Sequence, residues 1–118
     1  MAQPAASLGR AFAALAEPTR RGVVVLLRRK PRSAGELARA LHASPPALSR
    51  HLRVLREAGL IREAPLPGDA RVHVYQLRPE PFAALRSWLD DVEAFWTDQL
   101  TAFREYAERR RQRPGGGK

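Results

Sequence analysis

The chain has no cysteine. That excludes disulfides, thiolate zinc or arsenite sites, sensing by thiol oxidation and a cysteine nucleophile. Histidine stands only at positions 42, 51 and 73, and no two share the i, i+4 spacing that lets a helix chelate a metal. No apolar run approaches the roughly 20 residues of a membrane span. There is no glycine-rich phosphate loop after a strand, and no Ser, His and acid stand in a recognisable catalytic context. These gaps leave little support for an enzyme and none for a membrane protein. Acid is scarce too: 12 Asp or Glu face 21 Lys or Arg, a net charge of +9 over 118 residues.

A chain of this length reads as one domain. Folding hides about two-thirds of the surface of such a chain, enough for a modest core that a second copy can extend. Its start, MAQPAASLGRAFAALAEP, is rich in Ala and carries Arg10, as a transit peptide would. Leu8, Phe12 and Leu15 fall at helical spacing, which favours an amphipathic first helix.

The location of the charge says more than its size. Residues 20 to 62 hold eleven Arg or Lys against Glu36 and Glu57. Residues 81 to 108 hold Arg86 and Arg104 against six acids, and the end, RRRQRPGGGK, is basic again. A concentrated basic block points to a polyanion, most commonly DNA or RNA; a merely solubilising surface would mix the signs. Pro114 and the following glycines suggest that 109–118 is a disordered basic arm beyond a 1–108 domain.

Pro4 to Ala16 reads as a short helix. In EPTRRGVVVLLRR the apolar run 23–27 has no period, but Pro18-Thr19 and Lys30-Pro31 lie a helix length apart, which predicts a helix capped by Thr19. In SAGELARAL, Ser33 and Glu36 have the spacing of a capping box. SPPALSRHLRVLREAGLI predicts a fourth helix with Ser44 as N-cap. Pro45 and Pro46 fill its first turn, where N–H groups have no helical partner to lose. Leu48, Leu52 and Leu55 form its buried face, Ser49, Arg50, Arg53 and Arg56 lie off it, and Gly59 ends it. LIREAPL and RVHVYQL read as two strands joined by PGDA, the first made irregular by Pro65. Pro81 then opens a long helix in which Phe82, Leu85, Leu89, Val92, Trp96, Gln99, Phe103 and Tyr106 step by three and four, with Trp88 and Phe95 widening the stripe. So much aromatic surface at the end of a small domain predicts pairing with a second copy.

The expected architecture is mainly α with a β-hairpin wing: a winged helix-turn-helix of order α-α-α-α-β-β-α, paired as a homodimer. The second helix of the pair would enter the major groove and the wing would reach the flanking backbone. Arg can grip guanine or phosphate with its planar fork, Ser49 can donate to either, and the helix starting after Ser33 offers first-turn amides to a phosphate. His73 lies on the wing, in reach of the DNA backbone. His51, between buried leucines, reads as a packed, hydrogen-bonded helix residue. A nucleoid-type binder of low sequence specificity is the alternative, separable by the ratio of operator to random-DNA affinity.

LAEPTRRGVVVLLRR, SAGELARAL, SPPALSRHLRVLREAGLI and ARVHVYQL resemble, in order and spacing, successive blocks of the ArsR/SmtB family of bacterial winged-helix repressors. The last helix, with Trp88, Phe95 and Trp96, resembles the branch that does not sense metals. The resemblance implies a cytoplasmic, nucleoid-associated repressor binding a twofold operator in double-stranded DNA. Its recognition segment would run from Ser44 to Arg53, including Pro46, Ser49, Arg50 and Arg53, with Arg71 as the wing's contact. It also implies a dimer built from the first and last helices: Leu8, Phe12, Leu85, Trp88, Leu89, Val92, Phe95, Trp96 and Phe103. Two positions depart from the family pattern. Pro45 replaces a polar residue, commonly glutamine, and His42 stands where the turn usually has glycine. One metal site of the family uses paired cysteines near the start of the third helix, where Ser33 and Ala34 stand here. Another uses Asp and His on the last helix, where Asp90, Asp91, Glu93 and Asp98 have no histidine beside them. Carboxylates alone make poor zinc sites. No cofactor or metal is expected, and the inducer would be an unknown small molecule or protein.

Overall fold

The computed structural model describes residues 5–112. In chain order it contains α1 (Ala5–Leu15), α2 (Pro18–Arg29), α3 (Ala34–Leu41), α4 (Pro45–Glu57), β1 (Ile61–Leu66), β2 (Asp69–Leu77) and α5 (Pro79–Gln112). The strands pair antiparallel. Four helices, a two-stranded hairpin and a last helix make a winged helix-turn-helix, the expected architecture. The chain divides into two compact units, residues 1–85 and 86–118.

The core of the first unit follows from the helical periods. Val23 and Leu27 of α2, Leu37 and Ala38 of α3, and Leu48, Leu52 and Leu55 of α4 are buried together with Ala11, Leu60, Ile61 and Leu85. Val23 to Leu27 is therefore helix, and only every fourth residue of that unbroken run goes fully inside. The cap of α2 differs from expectation. It is Glu17, not Thr19: Glu17 is extended at φ −97, ψ 132 and its side chain accepts the Arg20 N–H. Pro18 is the cause, because it occupies the first helical turn and pushes the residue before it out of the α region.

α3 begins with the expected capping box. It ends at His42, which takes the left-handed conformation at φ 53, ψ 40. The Ala43 and His42 amides then reach back to Ala38 O and Arg39 O, closing the helix as a glycine would. α4 starts at Ser44, whose hydroxyl accepts the Ala47 N–H. At its other end Gly59 has φ 78, and the Gly59 and Leu60 amides bond Arg56 O and Leu55 O at 3.0 Å each. That left-handed closure sends the chain directly from helix into β1.

The hairpin pairs Ile61 with Leu77 and Glu63 with Tyr75, and its register slips between Pro65 and Leu66. The slip sits at the predicted irregular residue, since Pro65 cannot donate to the ladder. The strands run closer to the tip than expected, leaving only Pro67-Gly68 between them. Gly68 has φ 91, the positive φ that a type II turn requires after proline. On its other side β2 makes one bridge, to Arg32, with N–H to O distances of 3.3 and 2.8 Å.

α5 continues through Gln112, so residues 109–112 are helical and not part of a disordered arm. Arg110 lies over the Tyr106 ring and donates to its hydroxyl at 3.0 Å. That i, i+4 pair and the attraction of a helix C-terminus for cations extend the helix. The rest of the proposed arm lies outside the described residues. At the other end Leu85 is buried in the core of the first unit, so it is a core residue with no surface to offer a second copy. Phe82 packs against the same core. In the second unit the stripe is exposed: Trp96 by 57 % and Phe103 by 70 %, with Leu100 also open. Leu100, four residues after Trp96, fills the place where Gln99 interrupts the expected pattern.

Candidate nucleic-acid interface

The caps and the His42 turn fix α3 and α4 at their facing ends. With Leu48, Leu52 and Leu55 inside, Pro46, Ser49, Arg50 and Arg53 fall on the outer surface and all are exposed. They step by three and four, so they form one continuous stripe. Among the described residues, no hydrogen bond or ion pair holds Arg50 or Arg53. Both guanidinium forks are available. The Ser44 hydroxyl caps its own helix but keeps its proton to donate.

The start of α3 offers less than expected. Glu36 Oε1 takes the Ser33 N–H at 2.9 Å and Ser33 Oγ takes the Glu36 N–H at 3.2 Å. The box uses two of the amides that a phosphate would want and places a carboxylate beside them. That carboxyl is held below the ordinary value of 4.5, first by the Ser33 amide, so it remains charged. A phosphate here would meet the amides of Ala34 and Gly35 and the Ser33 hydroxyl.

On the hairpin, Arg71 is at the tip with its side chain 92 % exposed, and its Nε lies 3.3 Å from Asp69 Oδ1. Asp69 also accepts the Arg71 amide at 3.2 Å, so the carboxylate orients the turn more than it holds the guanidinium. Exposed pairs of this kind contribute little and are easily exchanged for phosphate. His73 is less free. Its Nδ1 is 3.2 Å from Glu63 Oε2, leaving Nε2 to face outward. Glu63 Oε1 in turn meets Arg56 at 3.4 Å, tying the end of α4 to the wing. Burial first, and Glu63 second, push the Tyr75 phenol above its ordinary value of 10.0, so it is a neutral donor beside this network. Arg62, across the ladder, grips Gln76 Oε1 through Nε and Nη2 at 3.2 and 3.1 Å.

Composition and periodicity missed three residues. Glu17, Arg20 and Glu63 each join separate elements, and no spacing announces contacts between residues 31 apart, such as Arg20 and His51. The pair Glu-Pro was the available signal, because proline favours a helix's first turn and a carboxylate just before it can accept the backbone amide three residues on. His51 is hydrogen-bonded within the protein, as expected. Among the described residues, no group of three His, Asp or Glu is placed to hold a metal ion, and no helix is long and apolar enough to cross a membrane.

The comparisons with known proteins agree with this geometry. A family described as bacterial regulatory protein, arsR family, matches residues 17–63, from the α2 cap into β1. The chain is 48 % identical over 94 residues to the HTH-type transcriptional regulator Rv2034 of Mycobacterium tuberculosis, covering 80 % of this chain and 82 % of that one. It is 36 % identical over 52 residues to the transcriptional repressor SdpR of Bacillus subtilis, covering 44 % of this chain and 58 % of that one. A crystal structure of an ArsR family transcriptional regulator superposes with a TM-score of 0.70 at 35 % identity, covering 82 % of this chain and 97 % of the other. An exposed arginine stripe, a hairpin wing and these relatives lead to one conclusion: the chain belongs to the ArsR family of bacterial regulatory proteins and is a DNA-binding transcriptional regulator.

Proposed function

We propose that the protein is a homodimeric repressor that reads a twofold-symmetric operator with α4 and steadies itself on the flanking backbone with Arg71. The observation that carries this is the Ser49–Arg50–Arg53 stripe, exposed and free of internal partners beside a hairpin whose tip presents Arg71. Ser49 and Arg50 supply the base readout, because Pro45 has no side-chain donor. Ser33, Ser44 and Arg53 hold phosphates, which positions the helix but carries little sequence information. The second copy covers the α5 stripe from Trp88 to Phe103, with Phe12 and Leu8 of α1 completing the contact.

Selection of bound sites from a randomised duplex pool tests the proposal. A palindrome with half-sites about one helical turn, ~34 Å, apart is the expected product. Uniform enrichment of all sequences would favour a low-specificity binder instead. Metal ions are not its signal: among the described residues no three His, Asp or Glu side chains are grouped to hold an ion, and the chain has no thiol. A titration of the operator complex with zinc, nickel, cobalt and arsenite should leave binding unchanged. Release by one of them, reversed by a chelator, would refute that part.

A further inference from the structure

We propose that Arg20 and His51 are positioning residues that set the angle of α4 on the α1–α2 junction, and that this clasp holds only while His51 is neutral. The proposal rests on α4 being the reading helix. Arg20 leaves the first turn of α2 and reaches two elements at once. Its Nε donates to Ala14 O and its Nη2 to Ala13 O at 3.4 Å, both in the last turn of α1, where Ala13 O also takes the Ala16 amide at 3.2 Å. Its Nη1 lies 3.2 Å from His51 Nδ1, on the flank of α4 away from the stripe. Arg21 adds to the same joint, donating to Leu15 O and Ala16 O at 3.0 Å each.

A guanidinium can only donate, so His51 Nδ1 must accept, and the ring proton belongs on Nε2. That nitrogen faces Glu17 Oε2 at 3.9 Å. Glu17 meanwhile caps α2 by taking the Arg20 amide at 3.0 Å. The three side chains close a ring around the joint, with His51 the only member contributed by α4. Leu48, Leu52 and Leu55 bury α4 through apolar contacts, which have no preferred direction. The Arg20–His51 bond adds a directional one on that side of the helix.

Protonation reverses the arrangement. An imidazolium carries a proton on Nδ1, loses the bond from Arg20 and repels it, while Glu17 attracts Nε2. The ring then changes partner from Arg20 to Glu17, and α4 turns with it. The charged groups around it are Glu17 and Arg20 at the start of α2, Arg10 of α1, which lines the same cleft as Arg20, and Arg50, Arg53 and Glu57 along α4 itself.

The test compares wild type, His51→Ala and His51→Gln on two probes: duplexes that wild type selects from a random pool and a random duplex of equal length. His51→Ala is expected to lose about tenfold on the selected site with no change on random DNA. His51→Gln, whose amide oxygen can accept from Arg20 and whose NH2 can donate to Glu17, should recover within about twofold. Lowering the pH should reduce the ratio of selected to random affinity for wild type and leave it flat for His51→Gln. The pH arm uses the unmodified protein, so it decides even if His51→Ala fails to fold. Taking the ratio removes the general gain from added positive charge, including that of His73. Equal losses on both probes, or a ratio that is independent of pH in wild type, would overturn the clasp while leaving α4 as the reading helix. If wild type enriched no site at all, both readings would fall together.

Discussion

Single side chains in this interface are distinguished by what already holds them. Arg50 is free of internal partners and lies in the exposed stripe of α4, the proposed reading helix. Arg50→Ala is therefore expected to cost about 1–3 kcal/mol on the operator and much less on random DNA. Arg71, loosely held by Asp69 at the hairpin tip, has the setting of a phosphate contact. Its loss should weaken all sequences alike and reduce the salt slope by about one, since a released contact no longer displaces a counterion. Binding isotherms on both duplexes across a salt series measure both effects, and equal losses on the two duplexes for Arg50→Ala would reverse its assignment. His42 shows a different cost. At φ 53 it occupies a conformation that costs L-residues about 1–2 kcal/mol, and glycine would relieve this at the expense of a more flexible unfolded chain. His42→Gly should gain up to about 1 kcal/mol in a urea melt, read from the midpoint at unchanged slope.

At the scale of elements, the sequence was most legible where local chemistry decides. The Ser33–Glu36 box, the Ser44 cap with its two prolines and the Gly59 stop are all chain-local, and all three helix ends fall where they predict. The left-handed turn at His42 also follows from the position where glycine is usual. Legibility failed where two partners compete. Thr19 and Glu17 can both cap α2, and only the effect of Pro18 on its neighbour selects Glu17. The end of α5 is hidden for a related reason: Pro114 signals an early stop, although the Tyr106–Arg110 pair supports the helix through Gln112. Leu85 carried the period of the outer stripe, but its place in the first turns of α5 puts it against the core. Of the interface, the arginine stripe was evident from periodicity, whereas the Glu63–Arg56–His73 tie depends on hairpin register and could not be. In the outer stripe, Phe95 and Trp96 meet edge to face with centroids 5.8 Å apart. Trp96→Ala is expected to weaken self-association by about 2 kcal/mol or more, as loss of a buried aromatic anchor does. Sedimentation equilibrium should then show a shift toward monomer, and an unchanged association constant would place the second copy elsewhere.

At the scale of the molecule, rigidity is distributed unevenly, and the wing shows it best. The hairpin is a beam built in at one end. Its root is held by the bridge between Arg32 and Tyr75, by the Arg78 amide on Leu60 O at 2.9 Å, and by the burial of Leu60, Ile61 and Val74. Beyond Val74, among the described residues, no hydrogen bond ties it to another element, and the ladder itself slips at Pro65. Such a beam bends least at its base and most at its free end, so Arg71 travels while Tyr75 stays. The amide of Tyr75 should therefore exchange with solvent deuterium far more slowly than those of Ala70 to Val72, with a graded rise between them. A flat exchange profile along β2 would mean a stiff paddle instead. A compliant end has a use on DNA, whose groove width varies from step to step. If α4 is the reading helix, as proposed, the tip can follow that variation without tilting it, and binding should tolerate differences in flanking sequence better than changes at the bases facing α4.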